Sequence, residues 1–236
     1  MRLSLGSSEL AEYVRRQLEN LFPDAVKLGD LPRFVALALE RVEYCFERCG
    51  LKGFSDHEGA VFSHRHTDQY AIFLYYLSNS AFLEKFDHPI AERAYALNKA
   101  LHALDAYYEV SLPKVFGLQH PVGTVLGRAN YDDYFFCYQN CTVGANLAGE
   151  SPTFGRGVVM YGGSRVIGCT SVGDNTFIAA GTIIIDRGAW PSNSILHGAH
   201  PNERASPTKR QVIRDIFHQS ENGETTIASG VNNSFL

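Results

Sequence analysis

The sequence predicts an α+β chain: a helical first half followed by a parallel β-helix. Three observations carry this. Large apolar residues recur at every sixth position, without a break, from Phe154 to Leu196. Residues 119–200 hold 13 of the 21 Gly, only 9 charged residues and no Lys, whereas residues 1–118 hold 29 charged residues and 6 Gly. The first half, in contrast, spaces its apolar residues as helices do.

The helical elements follow in order. Ser7 or Ser8 is placed to cap a segment in which Leu10, Val14, Leu18 and Leu21 share one face. Asp30 precedes LPRFVALALERVEYCFERCG, with Pro32 in the first turn and Gly50 as a C-terminal stop. Asp87 precedes HPIAERAYALNKALHALDAYYEV, with Pro89 in its first turn. Between them, DQYAIFLYYLSNSAFLEKF is apolar on most faces and reads as a central, buried helix. The helical domain, ending near Leu112-Pro113, is assigned residues 1–118.

The repeat runs Phe154, Met160, Val166, Val172, Ile178, Ile184, Trp190, Leu196. Two positions before the middle members stand small residues, Ser164, Thr170, Thr176 and Thr182, and Gly155 and Gly173 follow large ones. A period of six suits neither a helix nor a hairpin stack. It suits a triangular coil in which each hexad supplies one short strand and one turn. The large residue fills the interior, the small one fits a corner, and Gly takes the tight turn. Upstream, Val125, Tyr131, Cys137 and Val143 keep a six-residue register out of phase with the later one, so Ala145–Pro152 must hold a loop between coils. About eighteen residues per coil make roughly four coils over 120–200. The β-helix is assigned 119–201 and a C-terminal tail 202–236, in which KRQVIRDIFHQ reads as a short helix and ENGETTIASGVNNSFL as mobile.

Composition excludes several functions. With 21 Lys+Arg against 25 Asp+Glu, the net charge of -4 argues against a basic nucleic-acid or membrane-surface binder. The longest apolar run, near Ala71–Leu83, is too short to span a bilayer. Cys45, Cys49, Cys137, Cys141 and Cys169 are odd in number and form no CxxC pair, a poor disulfide or zinc framework. The start, MRLSLGSSELAEY, lacks the apolar core of a signal peptide, so a reduced, cytoplasmic protein is expected.

The hexads, with HPVGTVLGR before them and AAGTIIID within them, resemble the left-handed β-helix of hexapeptide-repeat acyltransferases. A helical domain placed first makes the chain similar to the serine acetyltransferase-like branch, over about residues 60–201. The resemblance implies acetyl transfer from acetyl-CoA, with no metal, and a homotrimer or two trimers paired through the helical domains. It also implies a pantetheine arm held along the β-helix between subunits, at Gly162 and Gly163 in MYGGS and Ala180 and Gly181 in IAAGT. Small residues there let a ligand approach the backbone, although coil corners need small residues in any case. The family's ending is matched loosely, by Gly198, Ala199, His200 and Pro201, which leaves Lys209 or Arg210 as substitutes for contacts to the adenosine phosphates.

Acyl transfer needs a base that deprotonates the acceptor, usually His, with a carboxylate to orient it. At the positions where the family carries its two histidines, this chain has Asp133-Tyr134 (or Asp132-Asp133) and Ser151. The replacement expected is a dyad of His120, in HPVGTVLGR, with Asp132 or Asp133, the alternative being a structural His that caps the β-helix. Tyr131, Asp132, Asp133 and Tyr134 form a polar cluster suited to hydrogen-bond a polyol or amino acid, and Tyr134 is assigned to the acceptor. His64 and His66, in SHRHTDQY with Asp68 close behind, are assigned to an anionic acceptor, the bland alternative being a capped helix start. His197 and His200 shape the last coil. Two other functions stay open. A metal-dependent hydratase would need three His ligands from neighbouring coils and subunits, but His120, His197 and His200 stand at the two ends of the repeat. A non-catalytic trimeric scaffold would follow if the missing family histidines meant lost chemistry.

Overall fold

A computed structural model describes residues 1–84 and 89–217. Four helices come first: α1 (Ser7–Leu21), α2 (Leu31–Phe46), α3 (Thr67–Glu84) and α4 (Pro89–His102). The start of α1 differs from expectation. Gly6 is its N-cap, and the Glu9 carboxylate accepts the Gly6 N–H at 2.9 Å, so neither Ser7 nor Ser8 caps it. Helix α2 begins after Asp30 with Pro32 in its first turn, and ends at Phe46, four residues before Gly50. Asp87, the expected cap of α4, lies outside the described residues. That helix stops at His102 rather than running on toward Val110, because Ala103 turns into the left-handed region with φ 51°.

Helix α3 is buried on every side from Asp68 to Ala81, as its uniformly apolar pattern requires. Several of its polar side chains, and one from α4, bind backbone groups. Asn79 donates to Tyr108 O at 2.7 Å, and Asn98 to Ala71 O at 2.9 Å. The Tyr75 hydroxyl donates to Val110 O and accepts from Leu112 N–H, both at 2.8 Å. The Tyr75 and Asn79 bonds tie the 103–115 connector to α3 and so set where the first coil begins, while the Asn98 bond joins α4 to α3. A small sheet of Arg2–Leu3, Gly59–Phe62 and Ser55–Asp56 closes the helical half.

The β-helix has three parallel faces. The first stacks Phe116–Leu118, Phe135–Cys137, Val158–Met160, Thr176–Ile178 and Ser194–His197. The second stacks Val125–Leu126, Thr142–Gly144, Arg165–Ile167 and Ile183–Ile185. The third stacks Asn130–Tyr131, Thr153–Phe154, Thr170–Val172 and Gly188–Trp190. Three columns fill the interior: Leu118, Cys137, Met160, Ile178, Leu196; Leu126, Val143, Val166, Ile184; and Tyr131, Phe154, Val172, Trp190. The eight-member hexad register is therefore the interior register. The corner hydroxyls are buried and satisfied: Thr176 donates to Gly173 O at 2.8 Å and Ser194 to Pro191 O at 2.7 Å.

The slip between coils is also where the sequence places it. Val158 pairs with Thr176, eighteen residues on, but with Phe135, twenty-three back. The five extra residues lie in the 145–152 loop, where Asn146 accepts the Ala148 and Glu150 N–H groups and donates to Asp186 at 2.8 Å. One upstream assignment is corrected. Val125 is 38% exposed and Leu126 is 1% exposed, so Leu126 is the interior residue of the first coil. Past the last coil, Arg204–Pro207 adds an antiparallel strand to Ser194–His197, and α5 (Val212–Ile216) packs on the outside of the first face. There Val212 and Phe217 cover Phe136, Val159 and Phe177. The tail segment ENGETTIASGVNNSFL lies outside the described residues.

Candidate active site

The triangular coil has three corners, and these sort the candidate residues. Two positions after the first-face column Leu118, Cys137, Met160, Ile178, Leu196 come His120, Gln139, Gly162, Ala180 and Gly198. His120 thus shares one edge with the residues assigned to the acyl donor. The edge is knitted by backbone bonds, Gly163 N–H to Gln139 O at 2.9 Å and Gly181 N–H to Gly162 O at 3.0 Å. Gly163 (φ 74°) and Gly181 (φ 69°) take the left-handed turns, and a Cβ on Gly181 would meet nothing within 4 Å. Coils stack about 4.8 Å apart, so His120 and Ala180 are about 14 Å apart along an edge lined by small residues.

His120 stands at the longest corner of this edge. From Leu118 to Leu126 the interior positions are eight residues apart instead of six. His120 uses the extra length in a left-handed conformation, φ 51°, with its side chain 72% exposed. Its nearest carboxylate is Asp68, with Nδ1 to Oδ2 3.9 Å.

Asp132 and Asp133 do not join it. Twelve residues past His120 the chain has rounded two further corners, so they occupy the corner between the third and first faces. Asp133 Oδ1 accepts the Val115 N–H at 3.1 Å and Asp132 Oδ1 accepts the Asp133 N–H at 2.7 Å. This is structural work at the start of the first strand, and the expected His120–Asp132/Asp133 dyad is not formed. Replacing Asp133 by Ala leaves the buried Val115 N–H without its acceptor. It should cost about 1–3 kcal/mol, read as a lower denaturation midpoint, with unchanged turnover per folded molecule.

Tyr134 is buried rather than open to an acceptor. Arg156 lies 4.5 Å over its ring, Phe217 meets its edge at 5.2 Å, and burial pushes its hydroxyl pKa up. Lys209 is exposed on that same distant corner, between Thr208, whose N–H bonds Asn193 O, and Arg210, whose carbonyl accepts from Asn175. The structure therefore separates Lys209 from the Gly162–Ala180 edge.

His64 and His66 are held inside the helical half. His64 Nδ1 is 2.8 Å from Ser4 Oγ, with Tyr13 edge-on at 5.0 Å, and burial lowers its pKa. His66 packs on Phe54 at 5.5 Å, and its carbonyl accepts from Tyr70 N–H as α3 begins. The helix-start reading fits both. His197 pairs with Ser206 at 3.1 Å and His200 with Glu203 at 3.4 Å. Ser151 lies in the 145–152 loop, whose Leu147 is fully exposed.

Among the described residues, no three His, Cys, Asp or Glu side chains gather as a metal-ligand group, and no helix is long and apolar enough to cross a membrane. No family model matches the chain. A serine acetyltransferase of Synechococcus elongatus is 28% identical over 93 residues, and the match covers 38% of each chain. The chain thus matches little more than a third of that relative's length. A serine acetyltransferase solved in complex with cysteine superposes with a TM-score of 0.67 at 14% identity, covering 90% of this chain and 84% of that one. The fold is that of the serine acetyltransferases. A second such enzyme, from Brucella abortus strain S19 and solved with coenzyme A, superposes with a TM-score of 0.64 at 16% identity over 88% and 84% of the two chains. The β-helix is accordingly left-handed.

Within this serine acetyltransferase fold, sequence reasoning missed two residues. Gln139 lies between His120 and Gly162 on the edge, its Nε2 2.9 Å from where a Gly162 Cβ would stand. Its signal was its place two positions after Cys137 in the repeat. Asp68 was noticed only as a companion of His64 and His66. The better signal was a carboxylate at the head of an otherwise apolar helix.

Proposed function

We propose that the chain is an acetyl-CoA-dependent O- or N-acetyltransferase whose acceptor is small and polar, an amino acid such as serine or a sugar or nucleotide-sugar. The observation that carries this is the single edge shared by His120, Gln139, Gly162, Ala180 and Gly198. An extended pantetheine arm fits a straight edge with exposed peptide groups and small side chains, and a base at one end of that edge meets the thioester. The serine acetyltransferase crystallised with coenzyme A supports the same class of donor. We assign residues 1–118 to the helical domain, 119–201 to the β-helix and 202–236 to the tail. The working form is a cytoplasmic trimer, or a pair of trimers joined through the helical domains, with the site at a subunit boundary.

In this reading His120 accepts the proton of the acceptor hydroxyl or amine as that atom bonds to the thioester carbonyl carbon. The tetrahedral intermediate collapses, the C–S bond breaks, and the imidazolium returns its proton to the departing thiolate. Products are the acetylated acceptor and free coenzyme A. The amide of Gln139, between base and donor, supplies a hydrogen-bond donor for the carbonyl oxygen.

A thiol-release screen with acetyl-CoA across amino acids and sugars tests the assignment. Coenzyme A that fails to bind in calorimetry would leave the scaffold reading standing. A second result follows from the edge. Ala180→Leu adds bulk on an exposed corner, so the fold should keep its melting temperature while KM for acetyl-CoA rises at least tenfold. An unchanged KM would move the donor off this edge.

A further inference from the structure

Asp68 is a nearly buried carboxylate at the junction between the helices and the coil. It stands in the first turn of α3, 7% exposed, and among the described residues the basic side chain that comes within 4 Å of its carboxylate is His120. Taking a carboxylate most of the way out of water is costly unless a cation or a donor faces it. The helix N-terminus offsets part of that cost. Two imidazoles are close enough to matter. His102, on α4, is held toward its neutral form by burial, which outweighs the pull of the Asp68 charge, and its Nδ1 is engaged with Asn98 Oδ1 at 2.8 Å. His120 is the other, 3.9 Å away and open to solvent on the side away from Asp68.

We propose that Asp68 is the positioning residue for His120. Closing 3.9 Å to hydrogen-bond distance takes one side-chain rotation at an exposed corner, and catalytic hydrogen bonds commonly tighten only in the substrate complex. Asp68 then accepts the Nδ1 proton, fixes the imidazole in the Nδ1–H tautomer and leaves Nε2 as the basic nitrogen. The carboxylate comes from the helical half and the base from the first coil, so neither half of the chain holds the pair alone. The chemistry assigned to the pair rests on the acyl-transfer reading; the pairing itself does not.

The test reads the tautomer directly. In full-length, nitrogen-15-labelled protein, two-bond proton–nitrogen spectra resolve each imidazole, and His120→Asn identifies the signal. The His120 ring is expected to be Nδ1-protonated in the wild type. The ratio of Nδ1–H to Nε2–H forms should fall at least fivefold in Asp68→Asn and recover in Asp68→Glu. Asparagine is isosteric and uncharged, so Asp68→Asn should fold with a melting temperature no lower than wild type. With an acceptor found by the thiol-release screen, kcat should fall at least tenfold in Asp68→Asn while KM for acetyl-CoA stays within twofold. An unchanged tautomer ratio overturns the pairing whatever the rates. A shifted ratio with no acceptor turned over keeps the pairing and removes the acyl-transfer reading instead.

Discussion

His120→Asn should lower kcat by a hundredfold to ten-thousandfold, the usual contribution of one placed general base, equivalent to about 3–5 kcal/mol of transition-state stabilisation. Asparagine is the informative replacement. Residue 120 has a φ of 51°, a region asparagine tolerates far better than alanine, and its side chain is 72% exposed, so the variant should fold and bind acetyl-CoA as the wild type does. His120→Ala should show the same loss of kcat with a slightly lower melting temperature, because alanine strains that turn. The measurement is initial-rate thiol release at saturating acetyl-CoA beside a calorimetric Kd for coenzyme A. Wild-type kcat in the asparagine variant would remove His120 from the chemistry.

The repeat was legible because it is a packing constraint written once per strand. Each of Phe154, Met160, Val166, Val172, Ile178, Ile184, Trp190 and Leu196 fills the same narrow interior, so no register but six satisfies them all. The buried α3 was legible for a similar reason, since a helix apolar all round has no face to give to water. The closeness of Asp68 to His120 was not legible from proximity in sequence. His120 and Asp133 are thirteen residues apart, a distance that one loop could close, yet a triangular coil sends the chain around two corners in that distance. Asp68, fifty-two residues before His120, comes close because Tyr75 and Asn79 anchor the connector to α3. Those anchors are ordinary polar side chains whose partners are backbone carbonyls, and no spacing rule marks them.

The first coil tests the register most sharply. Leu126→Ala should destabilise the protein by about 2–5 kcal/mol, the range for emptying a buried leucine site, whereas Val125→Ala should change stability by less than about 0.5 kcal/mol. Counting back by sixes from Tyr131 gives the opposite order, because it lands on Val125. The structure departs from six at the corner where His120 stands. The corner that carries His120 is two residues longer than the corners stacked on it, and the next corner is one residue shorter, with Leu126 and Tyr131 five apart. Leu126 is 1% exposed and lies under Val143 in the interior column, while Val125 looks outward. Chemical denaturation of the two variants decides between the registers, and a larger loss in Val125→Ala would refute the long corner. The same pair of variants also bears on activity. If the long corner presents His120, Leu126→Ala should lower kcat under conditions where the protein is fully folded, because the cavity lies beneath the turn that holds the base. Val125→Ala, altering only the outer surface beside it, should leave the turn in place.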